Sequence, residues 1–267
     1  MPLLSLEDFG NAAPLLHGKI GCALMRLLSV DKINDLYDRN VSLAGPDFTS
    51  AVLHDIGVSY EVLNPEVLGT LPDGPFITIG NHPYGALDGV MLIDLFARIR
   101  PDFKVMANRI LSRIVPLEGN FISVVPTGVR RGAPAADSIH GIKSAVAHVR
   151  AGHPLGIFPA GAVSDLSIRD GCVRDREWQE PVLRLVWKLG VPVVPVHFLD
   201  GNSCFYYSLG LVSWKVRLLR LPAEVFNKVG RTERIALGEV IFPQQLEGFA
   251  DIGSFGEFLR KMVYNQY

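Results

Sequence analysis

A histidine and an aspartate six positions apart carry the clearest chemical signal in the sequence. His82 and Asp88 lie in NHPYGALDG, residues 81–89, directly after a short run of β-forming residues, Phe76–Ile79. In an unbroken helix six residues turn through about 600°, so the two side chains would point in different directions. The proline and glycine of this segment predict a loop instead, with Asp88 in the first turn of the following helix. Asp88 then reaches back to His82, which predicts a general base with an orienting carboxylate.

A second turn of the same kind follows another apolar run. In IFPAGAVSD, residues 157–165, Pro159 and Gly161 turn the chain away from the sheet, and Ser164 is placed to cap the next element or to donate to a ligand. Open α/β sheets bind ligands beyond the carboxyl ends of their strands, so we expect this turn and the His82 turn to share one crevice. Each turn taken alone also fits a purely structural role.

The apolar pattern predicts the elements that position these turns. We expect strands at 58–63, 76–79, 103–106, 121–125, 155–158 and 191–198, and helices at 89–99, 108–114, 135–150 and 181–189. The prolines of VPVVPV, residues 191–196, favour an edge strand or irregular pairing there. Strands that alternate with helices predict the α/β class, with a mostly parallel central sheet flanked by helices.

The N-terminal region is predicted to be helical. Its apolar residues recur at helical spacing: Leu16, Ile20, Leu24 and Leu27. This stripe fits either an amphipathic helix in a membrane interface or an ordinary helix packed on the domain. The chain has no linker or repeat, so we expect an N-terminal helical segment at 1–50, the main domain at 51–245 and a helical tail of the same domain at 246–267.

Composition excludes several classes of protein. Of the 267 residues 48% are hydrophobic and 20% charged, which argues against disordered and fibrous chains. A net charge of −1 predicts no nucleic-acid partner. The three cysteines are widely spaced and predict neither a disulfide framework nor a metal site. No uncharged run reaches the roughly 18 to 20 residues of a spanning helix. Acidic residues precede any basic one at the start, unlike a signal peptide, so a cytoplasmic location is expected.

Basic residues are concentrated in two stretches. The first contains Arg98, Arg100, Lys104, Arg109, Arg113, Arg130 and Arg131, and the second Lys215, Arg217, Arg220, Lys228, Arg231 and Arg234. Such basic stretches in a nearly neutral chain predict contact with an anionic ligand or surface at one place, although solvated helix faces would look the same. Residues 205–220 combine aromatic, aliphatic and basic side chains, as in an interfacial segment on an anionic bilayer. Core packing explains the same aromatic residues nearly as well.

Four segments in order resemble the blocks of the glycerolipid acyltransferases, the superfamily that includes 1-acylglycerol-3-phosphate acyltransferase. They are NHPYGALD, GNFIS, FPAGAVS and VPVVPV, and the resemblance runs from about Gly74 to Pro243. The chain departs from the usual blocks by one extra residue between His82 and Asp88, and by Val124, Ala160 and Val163 at positions that usually carry a charge. The variant blocks are most similar to the hemolysin-like branch, which includes the O-acyltransferase domains of ornithine-lipid and related amino-acid-lipid synthesis.

This resemblance implies transfer of a fatty acyl group from an acyl carrier protein or coenzyme A thioester to a lipid hydroxyl. It implies His82 as the base and Asp88 as its partner, no metal and no permanently bound cofactor. It also implies a peripheral place on the inner face of the cytoplasmic membrane. We expect the substrate to meet Asn81, Arg130, Arg131, Phe158, Pro159, Gly161 and Ser164. Arg109 and Arg113 are expected to meet the phosphate of the acyl donor, an acidic carrier protein or a lipid head group.

The sequence leaves alternative functions open. The missing charges of the third block favour an N-acylated amino-acid lipid over lysophosphatidate as the acceptor. A hydrolase would use the same histidine and aspartate with water as the acceptor, as an esterase or thioesterase. A non-catalytic, membrane-lytic protein is the third alternative, and the lack of a spanning or pore-forming pattern argues against it.

Overall fold

The computed structural model describes residues 3–4, 26–108, 111, 113–124 and 136–265, with the side chains of 136–139 left out. The helices are α1 Val30–Asn40, α2 Gly45–Asp55, α3 Ala86–Ile99, α4 Ala136–Arg150, α5 Glu180–Leu189, α6 Cys204–Val212, α7 Trp214–Phe226 and α8 Ile252–Tyr264. The strands are β1 Val58–Val62, β2 Ile77–Gly80, β3 Lys104–Asn108, β4 Phe121–Val124, β5 Leu155–Ile157, β6 Asp165–Ser167, β7 Cys172–Arg174, β8 Val193–Phe198 and β9 Arg231–Leu237. Short 3-10 helices lie at Pro65–Thr70, Val115–Asn120 and Pro243–Leu246.

Most predicted elements are confirmed, with ends shifted by a few residues. Of the predicted helix at 108–114, residues 109, 110 and 112 lie outside the described residues, and Asn108 is the last residue of β3 instead. The apolar stripe near the N-terminus also lies mostly outside the described residues, and only its Leu27 is described, with 69% of its surface exposed. Helices α6 and α7 and the hairpin of β6 and β7 had no individual prediction, whereas α8 lies within the helical tail expected at 246–267.

Seven strands form one mixed sheet in the order β1, β9, β8, β2, β5, β3, β4. All neighbouring pairs are parallel except β8 with β9. The predicted α/β class with a mostly parallel sheet is confirmed. Strands β2, β5 and β8 therefore end at the same edge of the sheet, and β2 lies between the other two.

The prolines of β8 do not place it at the edge of the sheet but interrupt its pairing with β9. The edge prediction is wrong, because β8 lies between β2 and β9. The alternative, irregular pairing, is confirmed, since the ladder with β9 covers only Val196–Phe198 and an isolated bridge joins Val193 to Ile241. Pro195 lies in the gap, where its carbonyl accepts from the Gly238 N–H. Proline has no N–H to donate on that side, so the ladder is interrupted at this residue.

Hydrophobic clusters cover the two faces of the sheet. On one face Val194 and Phe198 of β8 pack with Met91 and Phe96 of α3. On the other face Ile77 and Ile79 of β2 share a cluster with residues of the later helices: Ala145, Val149, Val186, Phe255 and Leu259. Side chains of the central strands are thus buried on both faces of the sheet, as in a sheet that helices cover on both sides. Among the described residues, every helix is too short or too polar to cross a membrane.

A buried carboxylate joins the first face to its helices. Asp94 of α3 accepts hydrogen bonds from the hydroxyls of Thr49 at 3.1 Å, Ser50 at 2.8 Å and Tyr60 at 2.7 Å. These donors come from α2 and β1, so one side chain ties three elements together. Helix α3 is therefore anchored at Asp94, which matters because its first turn carries Asp88.

Two buried threonines provide opposite tests of this packing. Thr78 is fully buried in β2, and its hydroxyl has no hydrogen-bond partner in the described part of the chain. Thr78→Val should raise the free energy of unfolding by about 1 kcal/mol, because it removes an unpaired buried hydroxyl. Thr49→Val should lower it by about 1 to 2 kcal/mol, because it removes a satisfied donor. Urea unfolding of both variants measures the change in the free energy of unfolding. Changes of the same sign would contradict the assignment of Thr78 as unpaired and Thr49 as hydrogen-bonded.

Candidate active site

His82 and Asp88 meet at the carboxyl end of the central strand β2. His82 follows β2 by two residues, and Asp88 is the third residue of α3. Nδ1 of His82 lies 2.7 Å from Oδ2 of Asp88. The carboxylate is fully buried, and the imidazole has 18% of its side-chain surface exposed. The predicted contact across the loop is confirmed.

The loop itself satisfies the buried carboxylate. The backbone N–H of Tyr84 donates to both oxygens of Asp88, at 3.2 and 3.1 Å, and the N–H of Gly85 donates to Oδ2 at 2.7 Å. Burial raises the pKa of the Asp88 carboxyl, while His82 and these amides act in the opposite direction. Because Nδ1 faces Asp88, Nε2 of His82 is the ring nitrogen left to meet a substrate.

The second predicted turn packs directly on the first. The ring of Phe158 stacks on the His82 imidazole, with centroids 4.3 Å apart and planes inclined by 29°. The N–H of Ser164 donates to the carbonyl oxygen of His82 at 2.9 Å. The two turns therefore lie side by side at the carboxyl ends of β2 and β5, as expected. Phe158 covers one face of the imidazole, and the contact with Asp88 orients the ring in its plane.

Asp175 is a central residue of the site that the sequence analysis missed. Its carboxylate accepts from the backbone N–H of His82 at 3.0 Å, from the Ser164 hydroxyl at 2.6 Å and from the Trp178 indole at 3.0 Å. It is 4% exposed. His82 lies 93 residues and Ser164 lies 11 residues before Asp175 in the chain, and Trp178 lies 3 residues after it. No local pattern in the sequence distinguishes this buried carboxylate from a solvated one.

A second network holds the histidine loop from the other side. Tyr207 Oη donates to the carbonyl oxygen of Pro83 at 2.8 Å, and the Asn202 amide donates to the carbonyls of Pro83 and Tyr84 at 3.2 and 3.1 Å. Lys228 donates to Asn202 Oδ1 at 2.8 Å. Lys228 is fully buried, and this burial lowers its pKa to about 8. The basic stretch that includes Lys228 is thus partly internal, which corrects its description as one patch for an anion.

Several predicted substrate contacts are engaged within the protein. The Asn81 amide pairs with both backbone groups of Phe198, at 2.9 and 2.8 Å, and joins the ends of β2 and β8. The Ser164 hydroxyl donates a hydrogen bond to the carboxylate of Asp175. The carbonyl of Pro159 accepts from the N–H of Gln179 at 3.0 Å. The structure therefore places these polar groups as supports of the two turns and not facing open space.

Gly161 is required by the shape of its turn. Its φ is +63°, and a Cβ built there would lie 2.0 Å from Nε2 of Gln179. Only glycine adopts this conformation without strain and also leaves room for the glutamine. Gly161 thus shapes the turn that carries Phe158.

The predicted arginines are only partly described. Arg113 is exposed before the 3-10 helix that precedes β4. Arg109, Arg130 and Arg131 lie outside the described residues. No group of three or more His, Cys, Asp or Glu that could hold a metal is present in the ranges that the structure describes.

A second histidine and aspartate pair lies at the opposite edge of the sheet. Nδ1 of His153 lies 2.7 Å from Oδ2 of Asp102, with 42% and 29% of the side chains exposed. His153 precedes β5 and Asp102 precedes β3, so this pair lies at the amino ends of the strands. Asp102 is also bound by Arg100. The pair has the contact distance of the first one but neither its burial nor its position, which makes it a matched control.

Comparison with known proteins agrees with this architecture. A lyso-glycine lipid O-acyltransferase of Bacteroides thetaiotaomicron is 26% identical over 248 residues, covering 90% of this chain and 87% of that protein. A protein of the same description from Phocaeicola vulgatus is 24% identical over 250 residues, covering 90% and 85%. The crystal structure of the 1-acyl-sn-glycerophosphate acyltransferase PlsC from Thermotoga maritima has a similar fold, with a TM-score of 0.50, 16% identity and coverage of 82% and 80%. The chain also matches the acyltransferase family over residues 9–266, which shows that it belongs to that family.

Proposed function

We propose that this acyltransferase moves a fatty acyl group from a thioester to the hydroxyl of an N-acylated amino-acid lipid, of the glycine- or ornithine-lipid type. The observation that carries the proposal is the 2.7 Å contact of His82 with the buried Asp88 at the end of β2. The two relatives, which are described as lyso-glycine lipid O-acyltransferases, support the choice of acceptor.

In the proposed mechanism His82 removes the proton of the acceptor hydroxyl. An alcohol is a weak nucleophile at neutral pH, so Nε2 takes this proton as the oxygen attacks the thioester carbonyl. The tetrahedral intermediate then collapses, an ester bond forms and the carbon–sulfur bond breaks. The imidazolium returns its proton to the leaving thiolate. Asp88 keeps Nδ1 oriented and stabilises the imidazolium, because its carboxylate is buried beside it.

The second turn supports an acceptor without a glycerol-phosphate group. Ala160 and Val163 stand where the usual third block carries charged residues, and both are buried, at 4% and 7% exposure. Val163 packs with Tyr206, Tyr207 and Leu221. A charged side chain at Val163 would lose this packing and face desolvation, so the turn is built as an apolar support. Such a turn offers no cation to a phosphate monoester.

The acyl donor is proposed to be acyl carrier protein or coenzyme A. Both carry a phosphopantetheine phosphate, which arginines bind well. We assign this contact to Arg109, Arg113, Arg130 and Arg131, and the fatty acyl group itself needs no further cofactor. Replacing these arginines in pairs, with the KM for each donor as the readout, distinguishes a donor contact from a solvated surface.

Removal of the histidine tests the mechanism. His82→Ala should lower kcat/KM for acyl transfer by about 10²- to 10⁴-fold, because the general base is lost. His153→Ala is the matched control, since it breaks a histidine and aspartate pair of equal contact distance at the other edge of the sheet. It should keep kcat/KM within about twofold. Near-native transfer by a folded His82→Ala protein would reject the assignment.

The acceptor is tested with purified protein and defined lipids. Given a labelled acyl thioester, the protein should acylate an N-acylated glycine or ornithine lipid and leave 1-acylglycerol-3-phosphate unchanged. Lipid mass spectrometry of cells lacking the protein should show loss of the diacylated amino-acid lipid and accumulation of its monoacylated precursor. Loss of phosphatidate-derived lipids would contradict the acceptor. Release of free fatty acid at the same rate without any acceptor would indicate a hydrolase instead.

A further inference from the structure

The two helices α6 and α7 form a hairpin with an unusual composition. Residues 201–223 contain no aspartate or glutamate, and their cations are Lys215, Arg217 and Arg220. The next acidic residue, Glu224, is 1% exposed and accepts hydrogen bonds from Ser203. Nε of Arg220 lies 3.7 Å from Oε1 of Glu224, so the accessible surface of this hairpin is apolar with Lys215 as its exposed cation and Arg220 as a partly exposed one.

Exposed hydrophobic side chains are concentrated on the same hairpin. Of the fifteen large hydrophobic residues exposed in the described part of the chain, six lie within residues 205–218. They are Phe205 at 58% exposure, Leu211 at 52%, Val212 at 86%, Trp214 at 52%, Val216 at 47% and Leu218 at 41%. Four of them surround Ser213, which joins the two helices. Scattered exposed hydrophobics are ordinary, but a patch of this kind marks an interaction surface.

The cations of the hairpin lie beside its exposed aromatic rings. Nζ of Lys215 is 5.8 Å from the ring centroid of Trp214, and the guanidinium carbon of Arg220 is 5.5 Å from that of Phe205. Aromatic rings next to lysine and arginine are typical of the zone where acyl chains meet anionic head groups. Both pairs of a cation and a ring lie within residues 205–220.

Three residues of the predicted interfacial segment are instead internal. Tyr206, Tyr207 and Arg217 are 0%, 3% and 2% exposed, because they face the domain. The Arg217 guanidinium donates to the carbonyls of Ser164 at 3.0 Å and Val163 at 3.3 Å. The segment thus has two faces, of which one carries the exposed patch and the other holds the active-site turns.

Arg217 reaches the turn by crossing Gly210 of the neighbouring helix. A Cβ built at Gly210 would lie 3.0 Å from Cδ of Arg217, so glycine leaves the space for this side chain. Arg217 also pairs with Asp165 at the start of β6. The hairpin is therefore attached rigidly to the residues that support His82, while its tip stays uncovered.

We propose that the tip of the hairpin of α6 and α7, residues 211–218 together with Phe205, docks on an anionic lipid bilayer. The lack of acidic residues and the flanking cations favour a negatively charged surface. The exposed aliphatic and aromatic side chains favour one with an apolar layer beneath. The choice of a bilayer as partner rests on the proposed function, whose acceptor is a membrane lipid. Docking at this face brings the His82 site to the membrane through the Arg217 connection.

Vesicle binding tests the proposal without donor or acceptor. The full chain should sediment with phosphatidylcholine vesicles that contain phosphatidylglycerol, and the double variant Val212→Ser/Trp214→Ser should bind them at least tenfold more weakly. Val229→Ser is the matched control, because Val229 is 68% exposed but lies beyond the end of α7. It should bind like the unchanged protein. Equal binding by the double variant would overturn the proposal.

Further readouts keep the test decisive if the double variant folds poorly. Lys215→Glu reverses an exposed charge beside Trp214 and should also reduce binding to the anionic vesicles. Of the three tryptophans, Trp214 is exposed and Trp178 is buried, so a vesicle-induced blue shift that is lost in Trp214→Phe would support docking. A stable dimer in sedimentation velocity that the double variant abolishes would assign the face to a second copy instead. His82→Ala should bind vesicles normally, which separates docking from the proposed chemistry.

Discussion

The buried carboxylate of Asp88 and the imidazole of His82, 2.7 Å apart, set the shape of the loop between β2 and α3. A fully buried carboxylate is unfavourable unless polar partners surround it, and here the His82 imidazole lies 2.7 Å away while two amides of the intervening loop donate to it. The loop between β2 and α3 therefore has one stable arrangement, in which the imidazole is fixed at the edge of the sheet. A single local cluster satisfies the carboxylate and orients the base.

Elements distant in the chain hold that loop from two sides. Asp175 binds the backbone of His82 together with Ser164, and Asn202 binds the carbonyls of Pro83 and Tyr84. Each of these supports is buried, so removing one would leave unpaired polar groups, at a cost of about 1 to 3 kcal/mol. The rigidity of the site thus comes from the supporting loops as much as from the histidine and aspartate.

The sequence was informative where the physical signal is local. Apolar periodicity located most strands and helices, and the proline and glycine after β2 correctly predicted that Asp88 turns back to His82. The position of β8 inside the sheet could not be read locally, because it depends on pairing with β9, more than 30 residues later. Asp175 was missed for a similar reason, since no local pattern distinguishes a buried carboxylate from a solvated one.

The division of residues 205–220 into two faces was likewise invisible in composition. Aromatic and basic residues fit both an interfacial segment and a core, and the structure contains both. Arg217 looks like Lys215 in the sequence but is buried against the carbonyls of Val163 and Ser164. Tertiary packing alone decides which cation is structural and which is exposed.

We propose that His82 and Asp88 act as one catalytic unit. A double-mutant cycle of His82→Ala and Asp88→Asn, with kcat/KM for acyl transfer as the readout, tests it most directly. Residues that act as a unit show non-additive losses, so the double variant should be about as slow as His82→Ala alone. If the two losses multiplied, the residues would contribute independently and the account would be contradicted.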